Sequence, residues 1–190
     1  RMAMASWRGA HSSALEDASL AVRAVQSARD AARRASVSAR TSVIEERAWS
    51  PPAPRPTGRR MEGLFRRALE LAGKSEPERD RGLAVHARSL GAEDAEREAV
   101  RDALRALSTH ALFGDPSADR DVPVMARTGG PRLIEGRADL VLDQGKEIVV
   151  ASALLSDASV GESERRELAI VADAIAEASG KPVRAVLVVC

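Results

Sequence analysis

Residues 134–153, Ile-Glu-Gly-Arg-Ala-Asp-Leu-Val-Leu-Asp-Gln-Gly-Lys-Glu-Ile-Val-Val-Ala-Ser-Ala, decide the predicted fold. Two runs rich in aliphatic residues flank Gln144-Gly145-Lys146, which is a turn signal of the kind that joins antiparallel strands. A further strand precedes them across the turn Thr128-Gly129-Gly130-Pro131. The predicted strands are 121–127, 132–142 and 147–155, and we expect them to form an antiparallel meander.

Helical periodicity surrounds this meander. Residues 162–179 place apolar side chains on one face and end at Gly180, after which 183–189 has the continuous apolar pattern of a buried strand. Three more helices are predicted before the meander, over 59–72, 76–90 and 93–113. The predicted fold class is therefore α/β, with helices followed by a β-β-β-α-β core.

The first sixty residues differ from the rest in charge and in pattern. They hold 11 Arg and 5 acidic residues, a net charge of +6, whereas residues 61–190 hold 18 basic and 23 acidic residues, a net charge of −5. Apolar residues at helical spacing predict one long amphipathic helix over 12–34, and Thr41 to Glu45 has a capping-box pattern that predicts a short helix. We therefore predict a helical connector over 1–49, a proline-rich linker over 50–60 and one domain over 61–190.

Composition and motifs exclude several classes of function. No apolar run approaches the roughly 20 residues that span a bilayer, and no signal-peptide pattern is present, so we expect a cytoplasmic protein without a membrane partner. The single cysteine, Cys190, forms no internal disulfide. The sequence has no phosphate-cradling glycine loop, no dinucleotide fingerprint and no zinc-ligand spacing among its three histidines.

Residues 120–124, together with 134–141 and 147–153, resemble the PD-(D/E)XK nuclease domain of RecB/AddA-type, UvrD-related helicase-nucleases. That family reads approximately Arg-Glu-x-Pro, then Gly-x-Ile-Asp-Leu-Val, then an apolar strand ending Asp-Tyr-Lys, on a restriction-endonuclease-like core. The resemblance extends over about 63–189, and 63–70 matches the family's first helix. It implies a parent protein that is an ATP-dependent DNA helicase-nuclease active in DNA repair.

The segment before residue 61 also fits this resemblance. Its Ala/Arg-rich helix and proline linker look like the connector that follows the helicase part in such proteins. The chain begins with Arg1 and ends inside the apolar run 183–190. We expect a fragment of a longer polypeptide, or a chain whose first residues were trimmed and whose last strand ends the fold.

The resemblance implies a metal site, because phosphodiester hydrolysis in this family requires carboxylates that hold Mg²⁺ and a Lys that steadies the attacking water. Asp139 is the position that keeps its functional group, and it is the candidate catalytic and metal-binding residue. The other signature positions carry Ala151 for the second acid, Ala153 for the Lys, Ser152 for the Tyr, Arg66 for the first-helix His, and Glu167 and Val171 for the Gln-x-x-x-Tyr of the later helix.

Replacement ligands would have to come from elsewhere. Glu147 lies on the correct face of its strand but roughly 13 Å from the second acid position, and Glu135 is displaced similarly along the preceding strand. Asp157, Glu167 or a residue of another chain remain as substitutes. Asp139 also has a plainer interpretation, as a polar residue on the half-open face of the sheet.

Three hypotheses stay open on this sequence. In the first, the domain is an inactive nuclease-like module of a helicase-nuclease complex that supports a partner subunit or guides DNA, without a cofactor. Its candidate DNA contacts are Arg66, Arg67, Arg127 and Arg132. The second is an active Mg²⁺-dependent DNA exonuclease with migrated metal ligands, and the third is an α/β domain that echoes the motif by coincidence. The two alanines favour the first.

Overall fold

The computed structural model describes residues 25–34, 39–48, 56–127, 133–156 and 160–190, which form a mixed α/β fold around a six-stranded sheet. The strands are β1 (Val25–Ser27), β2 (Val43–Arg47), β3 (Asp119–Arg127), β4 (Leu133–Asp143), β5 (Ile148–Leu154) and β6 (Val183–Val189). The helices are α1 (Ala28–Arg33), α2 (Arg59–Ala68), α3 (Glu76–Leu90), α4 (Asp94–Thr109) and α5 (Glu162–Ser179). Within these ranges no helix is long and apolar enough to cross a membrane.

The predicted meander is confirmed. β3 and β4 pair antiparallel from Asp119 opposite Val141 to Arg127 opposite Leu133. β4 and β5 also pair antiparallel, and β6 runs parallel to β5 after the crossover helix α5. Strands β3 to β6 and helix α5 begin and end within two residues of their predicted bounds, because turn residues and apolar periodicity are local signals.

Strand β4 connects the parts of the sheet, because it is 11 residues long and has neighbours on both edges. β3 pairs along almost all of one edge. On the opposite edge, β5 pairs with Leu140 to Asp143, and β1 pairs in parallel with Leu133 to Glu135. β4 and β5 therefore separate beyond Leu140, which leaves a gap in the ladder at Asp139.

The helix predicted over 12–34 is wrong at residues 25–27 and correct at 28–33. Residues 25–27 form β1, and the six residues that follow form the short helix α1, capped by the Ser27 hydroxyl, which accepts the Asp30 N–H at 3.1 Å. Pairing with β4 gives β1 a ladder that a helix would not have, so tertiary context overrides the local spacing. Residues 12–24 lie outside the described part of the chain.

The short helix predicted from Thr41 is also wrong. Residues 43–47 form β2, which pairs in parallel with β6 from Val43 opposite Ala185 to Arg47 opposite Val189. The segment begins with two β-branched residues, which suit a strand once a neighbouring strand is available. The segment that was predicted as a helical connector thus contributes two strands to the same sheet as residues 119–189.

Helix α4 is shorter than predicted. It ends at Thr109, where the prediction continues to residue 113, because His110 takes an extended conformation. The Nε2 atom of His110 lies 3.0 Å from Glu46 Oε2 of β2, and its Nδ1 accepts the Leu112 N–H at 3.3 Å. These contacts connect the end of the helical layer to the edge of the sheet.

Two hydrophobic cores cover the two faces of the sheet. The first lies against α2, α3 and α4 and includes Phe65, Phe113 and Val149. The second lies against α1 and α5 and includes Val150 and Val171. Neighbouring residues of β5 therefore point into opposite cores, as strand alternation requires.

Gly136 permits the close approach of two elements to β4. A Cβ atom at this position would lie 2.7 Å from Val171 Cγ2 of α5 and 3.1 Å from the Ala28 side chain of α1. Both distances are shorter than ordinary carbon contacts. Packing therefore requires a glycine at position 136.

Asp173 of α5 holds the segment that leads into β2. Its carboxylate accepts the backbone N–H groups of Arg40 at 2.7 Å and Thr41 at 3.0 Å, and the Thr41 hydroxyl at 2.6 Å. These bonds join residues more than 130 positions apart. They hold the residues before β2 in position, and β2 itself pairs with β6.

We expect Asp173→Ala to lower the free energy of unfolding by about 1–3 kcal/mol, because three donors lose their acceptor. The matched control is Glu177→Ala, an exposed carboxylate of the same helix. Urea unfolding followed by circular dichroism measures both variants. Equal destabilisation by the two substitutions would show that the Asp173 contacts do not anchor β2.

Candidate functional site

Asp139 lies at the point where β4 and β5 separate. Its Oδ2 atom accepts the backbone N–H of Ala153 at 2.9 Å. The neighbouring Ser152 side chain also acts to lower the pKa of the carboxylate. A side chain thus replaces the missing backbone pairing between the strands, so Asp139 has a structural role that requires no metal.

Arg66 of α2 is the charged partner of Asp139. Its Nη1 atom lies 3.3 Å from Oδ1 and 3.1 Å from Oδ2. The Asp139 side chain is 12% exposed and the Arg66 side chain 41%, so the carboxylate is the buried end of the pair. A guanidinium therefore supplies the positive charge beside the carboxylate that the resemblance assigns to Mg²⁺.

An ion-pair network fixes α2, which carries Arg66. The Arg60 guanidinium donates to Glu96 Oε2 and to Glu93 Oε1, both at 2.7 Å, and Glu96 also accepts the Glu93 N–H at 2.8 Å. The Glu93 N–H, together with Arg60, lowers the pKa of Glu96. Since Glu96 belongs to the first turn of α4, the network positions α2 against α4.

Asp139 and Arg66 line a cleft of about 460 Å³ that is bounded by α1, α2, α3, β3, β4 and α5. Its four arginines and four carboxylates balance in formal charge. The lining residues are Arg29, Arg66, Arg67, Leu69, Glu70, His86, Asp121, Arg137, Asp139 and Glu167. This volume lies in the range of small-molecule pockets.

Asp121 is a cleft residue that the sequence did not single out. The register of β3 and β4 places it opposite Asp139. Its φ of 56° lies in the left-handed region, which is unfavourable for a residue with a side chain. Its carboxylate accepts a hydrogen bond from Arg137 Nη1. The backbone strain therefore occurs beside the candidate site, where a carboxylate and a guanidinium meet.

Burial raises the pKa of Asp139, and the Arg66 guanidinium and the Ala153 N–H oppose this rise. Burial also raises the pKa of Glu167, with Arg29 and Arg66 lowering it and the Asp139 charge raising it. Two carboxyl groups of one cleft thus retain protons at a higher pH than ordinary carboxyls.

The structure brings four of the predicted site residues into the cleft, namely Arg66, Arg67, Asp139 and Glu167. The Arg127 side chain, Arg132 and Asp157 lie outside the described residues. Arg29, His86, Asp121 and Arg137 join the site without having been predicted. Arg137 precedes Asp139 by two positions on one strand, so strand periodicity was the signal that could have found it.

Ala151 and Ala153 are absent from the cleft lining. Both are 0% exposed and pack in the core on the α2, α3 and α4 side of the sheet. An acid at position 151 and a lysine at position 153 would therefore lie in a closed apolar environment. Among the described residues, no cluster of three or more His, Cys, Asp or Glu side chains is arranged to hold a metal ion.

No protein-family model matches the chain, and a search of curated proteins found no match.

The raised pKa of Asp139 predicts a pH dependence of stability. A carboxyl group whose folded pKa exceeds its unfolded value favours folding below about pH 4, and this contribution is lost as pH rises through the folded pKa. We expect the unfolding free energy of the unmodified chain minus that of Asp139→Asn to fall between about pH 4 and pH 8. Urea unfolding at a series of pH values measures this difference.

Asp143→Asn is the matched control for this measurement. Lys181 lowers the pKa of Asp143, so its contribution is present above the ordinary Asp pKa and is lost as pH falls through the lowered value. The corresponding difference should stay constant between about pH 4 and pH 8. A constant difference for Asp139→Asn would refute the effect of burial on Asp139.

We also expect Ala151→Asp to lower the free energy of unfolding by roughly 3–5 kcal/mol, because it buries a carboxylate without a partner. Ala151→Val, which keeps the position apolar, should be less destabilising and serves as the control. Thermal and urea unfolding measure both. A stable Ala151→Asp variant would show that this part of the core opens to solvent.

Proposed function

We propose that this domain is an inactive nuclease-like module with a restriction-endonuclease-like core, part of a DNA-repair helicase-nuclease that processes double-strand break ends. In this proposal the domain guides DNA or supports a partner subunit and does not cut. The observation that carries it is the Arg66–Asp139 pair. The one carboxylate that matches the nuclease motif binds a guanidinium and a backbone N–H.

The convergence of distant residues supports the nuclease-like assignment. Arg66 and Asp139 are 73 positions apart in sequence, yet they are in direct contact. Glu167 comes from a third element, α5, and lines the same cleft. The resemblance assigned all three positions to one site. A coincidental motif gives no reason for this convergence.

The chemistry of the cleft argues against hydrolysis. Mg²⁺ in such sites is held by one or two carboxylates with substrate phosphate, and it requires near-octahedral geometry. Arg66 and the Ala153 N–H already engage Asp139. The described lining of the cleft also contains no lysine, the residue that steadies the attacking water in the family that the chain resembles.

The arginines of the cleft support contact with DNA. Guanidinium groups recognise phosphates through paired N–H donors, and phosphate contacts make binding dependent on salt. The carboxylates beside Arg66 and Arg137 offset much of their charge. We therefore expect weak binding that declines as salt concentration rises.

An active Mg²⁺-dependent exonuclease is the second candidate, and one observation favours it. Asp121, Asp139 and Glu167 all line the same cleft, although in the described arrangement they do not form a metal-holding cluster. Metal binding would require Arg66 and Arg137 to release Asp139 and Asp121. The second candidate therefore requires that two guanidinium groups be displaced, and the first candidate does not.

Labelled single-stranded and double-stranded DNA, incubated with the chain and Mg²⁺ or Mn²⁺, test the two candidates. We expect no cleavage, because the described residues are not arranged to hold a metal ion and Arg66 and Arg137 pair with Asp139 and Asp121. Metal-dependent cleavage that disappears in Asp139→Ala would overturn the inactive assignment. Loss of cleavage in Asp121→Asn and Glu167→Gln as well would identify the migrated ligands.

Binding is tested separately by fluorescence anisotropy at several salt concentrations. Arg137→Ala is expected to weaken binding, since one positive charge is lost from the cleft and Asp121 loses its partner. Arg88→Ala removes the same charge from an exposed position of α3 that does not line the cleft and is the control. A DNA affinity that does not change with salt concentration, or that falls equally in both variants, would contradict DNA guidance by the cleft.

A further inference from the structure

We propose that the cleft binds the phosphate monoester at the end of a DNA strand, and that Arg67 is the residue that meets it. The inference rests on the proposed function, because it names the part of DNA that the guiding cleft would accept. It is carried by the size of the cleft and by the different partners of its arginines.

The size of the cleft favours a strand end. Its volume of about 460 Å³ is that of a small-molecule pocket. A B-DNA duplex, whose major groove alone is about 12 Å wide, is too large to enter such a space. One terminal nucleotide with its phosphate is of the right size.

The arginines of the cleft differ in what they bind. Arg66 pairs with Asp139, Arg137 pairs with Asp121, and Arg29 lies 3.8 Å from Glu62. Arg67 donates a long hydrogen bond, 3.5 Å, to the Ser89 hydroxyl. No carboxylate within the described ranges forms an ion pair with it. Arg67 is therefore the arginine of the lining whose guanidinium is available to an anion.

The surroundings of Arg67 favour a monoester over an internal diester. A phosphate monoester carries a charge of about −1.5 to −2 near neutral pH, whereas a diester carries a single negative charge. Glu70 lies on the same wall of the cleft, where its Oε1 atom is 3.3 Å from His86 Nε2. Attraction to Arg67 and repulsion from Glu70 both grow with the charge of the anion. A phosphate hydrogen-bonded to Arg67 would lie closer to the guanidinium than to the Glu70 carboxylate, so the attraction grows more and the monoester is favoured.

Fluorescence anisotropy with short single strands tests the proposal on the full chain. Two strands of identical sequence carry either a 5′-phosphate or a 5′-hydroxyl, and a second pair differs in the same way at the 3′ end. The label is at the opposite end of each strand. We expect one phosphorylated strand to bind about tenfold more tightly than its hydroxyl partner.

Two exposed substitutions shift this preference in opposite directions. Arg67→Ala should abolish the preference, and Glu70→Gln should increase it because a repulsive charge is removed. Arg59→Ala, an exposed arginine of the same helix outside the cleft, should leave it unchanged. Inorganic phosphate should compete with the phosphorylated strand in the unmodified chain and not in Arg67→Ala.

The outcomes separate this inference from the proposed function. Salt-dependent binding of all strands without a phosphate preference would overturn the strand-end inference and leave DNA guidance standing. A preference that persists in Arg67→Ala would overturn the role of Arg67. Binding of inorganic phosphate at Arg67 with no binding of any strand would overturn the proposed function itself.

Discussion

The gap between β4 and β5 is the constraint on which the site depends. Along one edge, β4 pairs with β1 at its N-terminal end and with β5 at its C-terminal end. The middle of this edge, including Asp139, is therefore paired with neither strand. The Asp139 carboxylate closes the gap through the Ala153 N–H. A polar side chain at this position thus satisfies a backbone N–H group, whether or not the site has a catalytic role.

Burial of that carboxylate determines what surrounds it. An isolated ionised group in a low-dielectric environment is strongly unfavourable, so it needs a cation or a proton. Arg66 supplies the cation, and the raised pKa of Asp139 reflects the burial that remains uncompensated. A guanidinium satisfies this requirement without metal. This environment of Asp139 is therefore compatible with the proposed domain that does not hydrolyse DNA.

The close packing around β4 gives the cleft its walls. Gly136 allows α1 and α5 to approach the strand, and this brings Arg29 and Glu167 to the same cleft. On the neighbouring strand, the left-handed conformation of Asp121 accompanies its contact with Arg137. The left-handed non-glycine residue of the described ranges thus lies at the cleft, and strain of this kind often occurs at functional sites.

The sequence by itself determined the antiparallel meander, α3, α5 and β6, because turn residues and apolar periodicity act between near neighbours. The resemblance to a nuclease motif predicted that Asp139, Arg66 and Glu167 belong to one site, and all three line the cleft. Only the tertiary structure decided that residues 25–27 and 43–47 are strands, that α4 stops at Thr109, and which charges surround Asp139. Parallel pairing and ion pairs join residues that are distant in sequence. They depend on which surfaces pack together, and no local pattern records that choice.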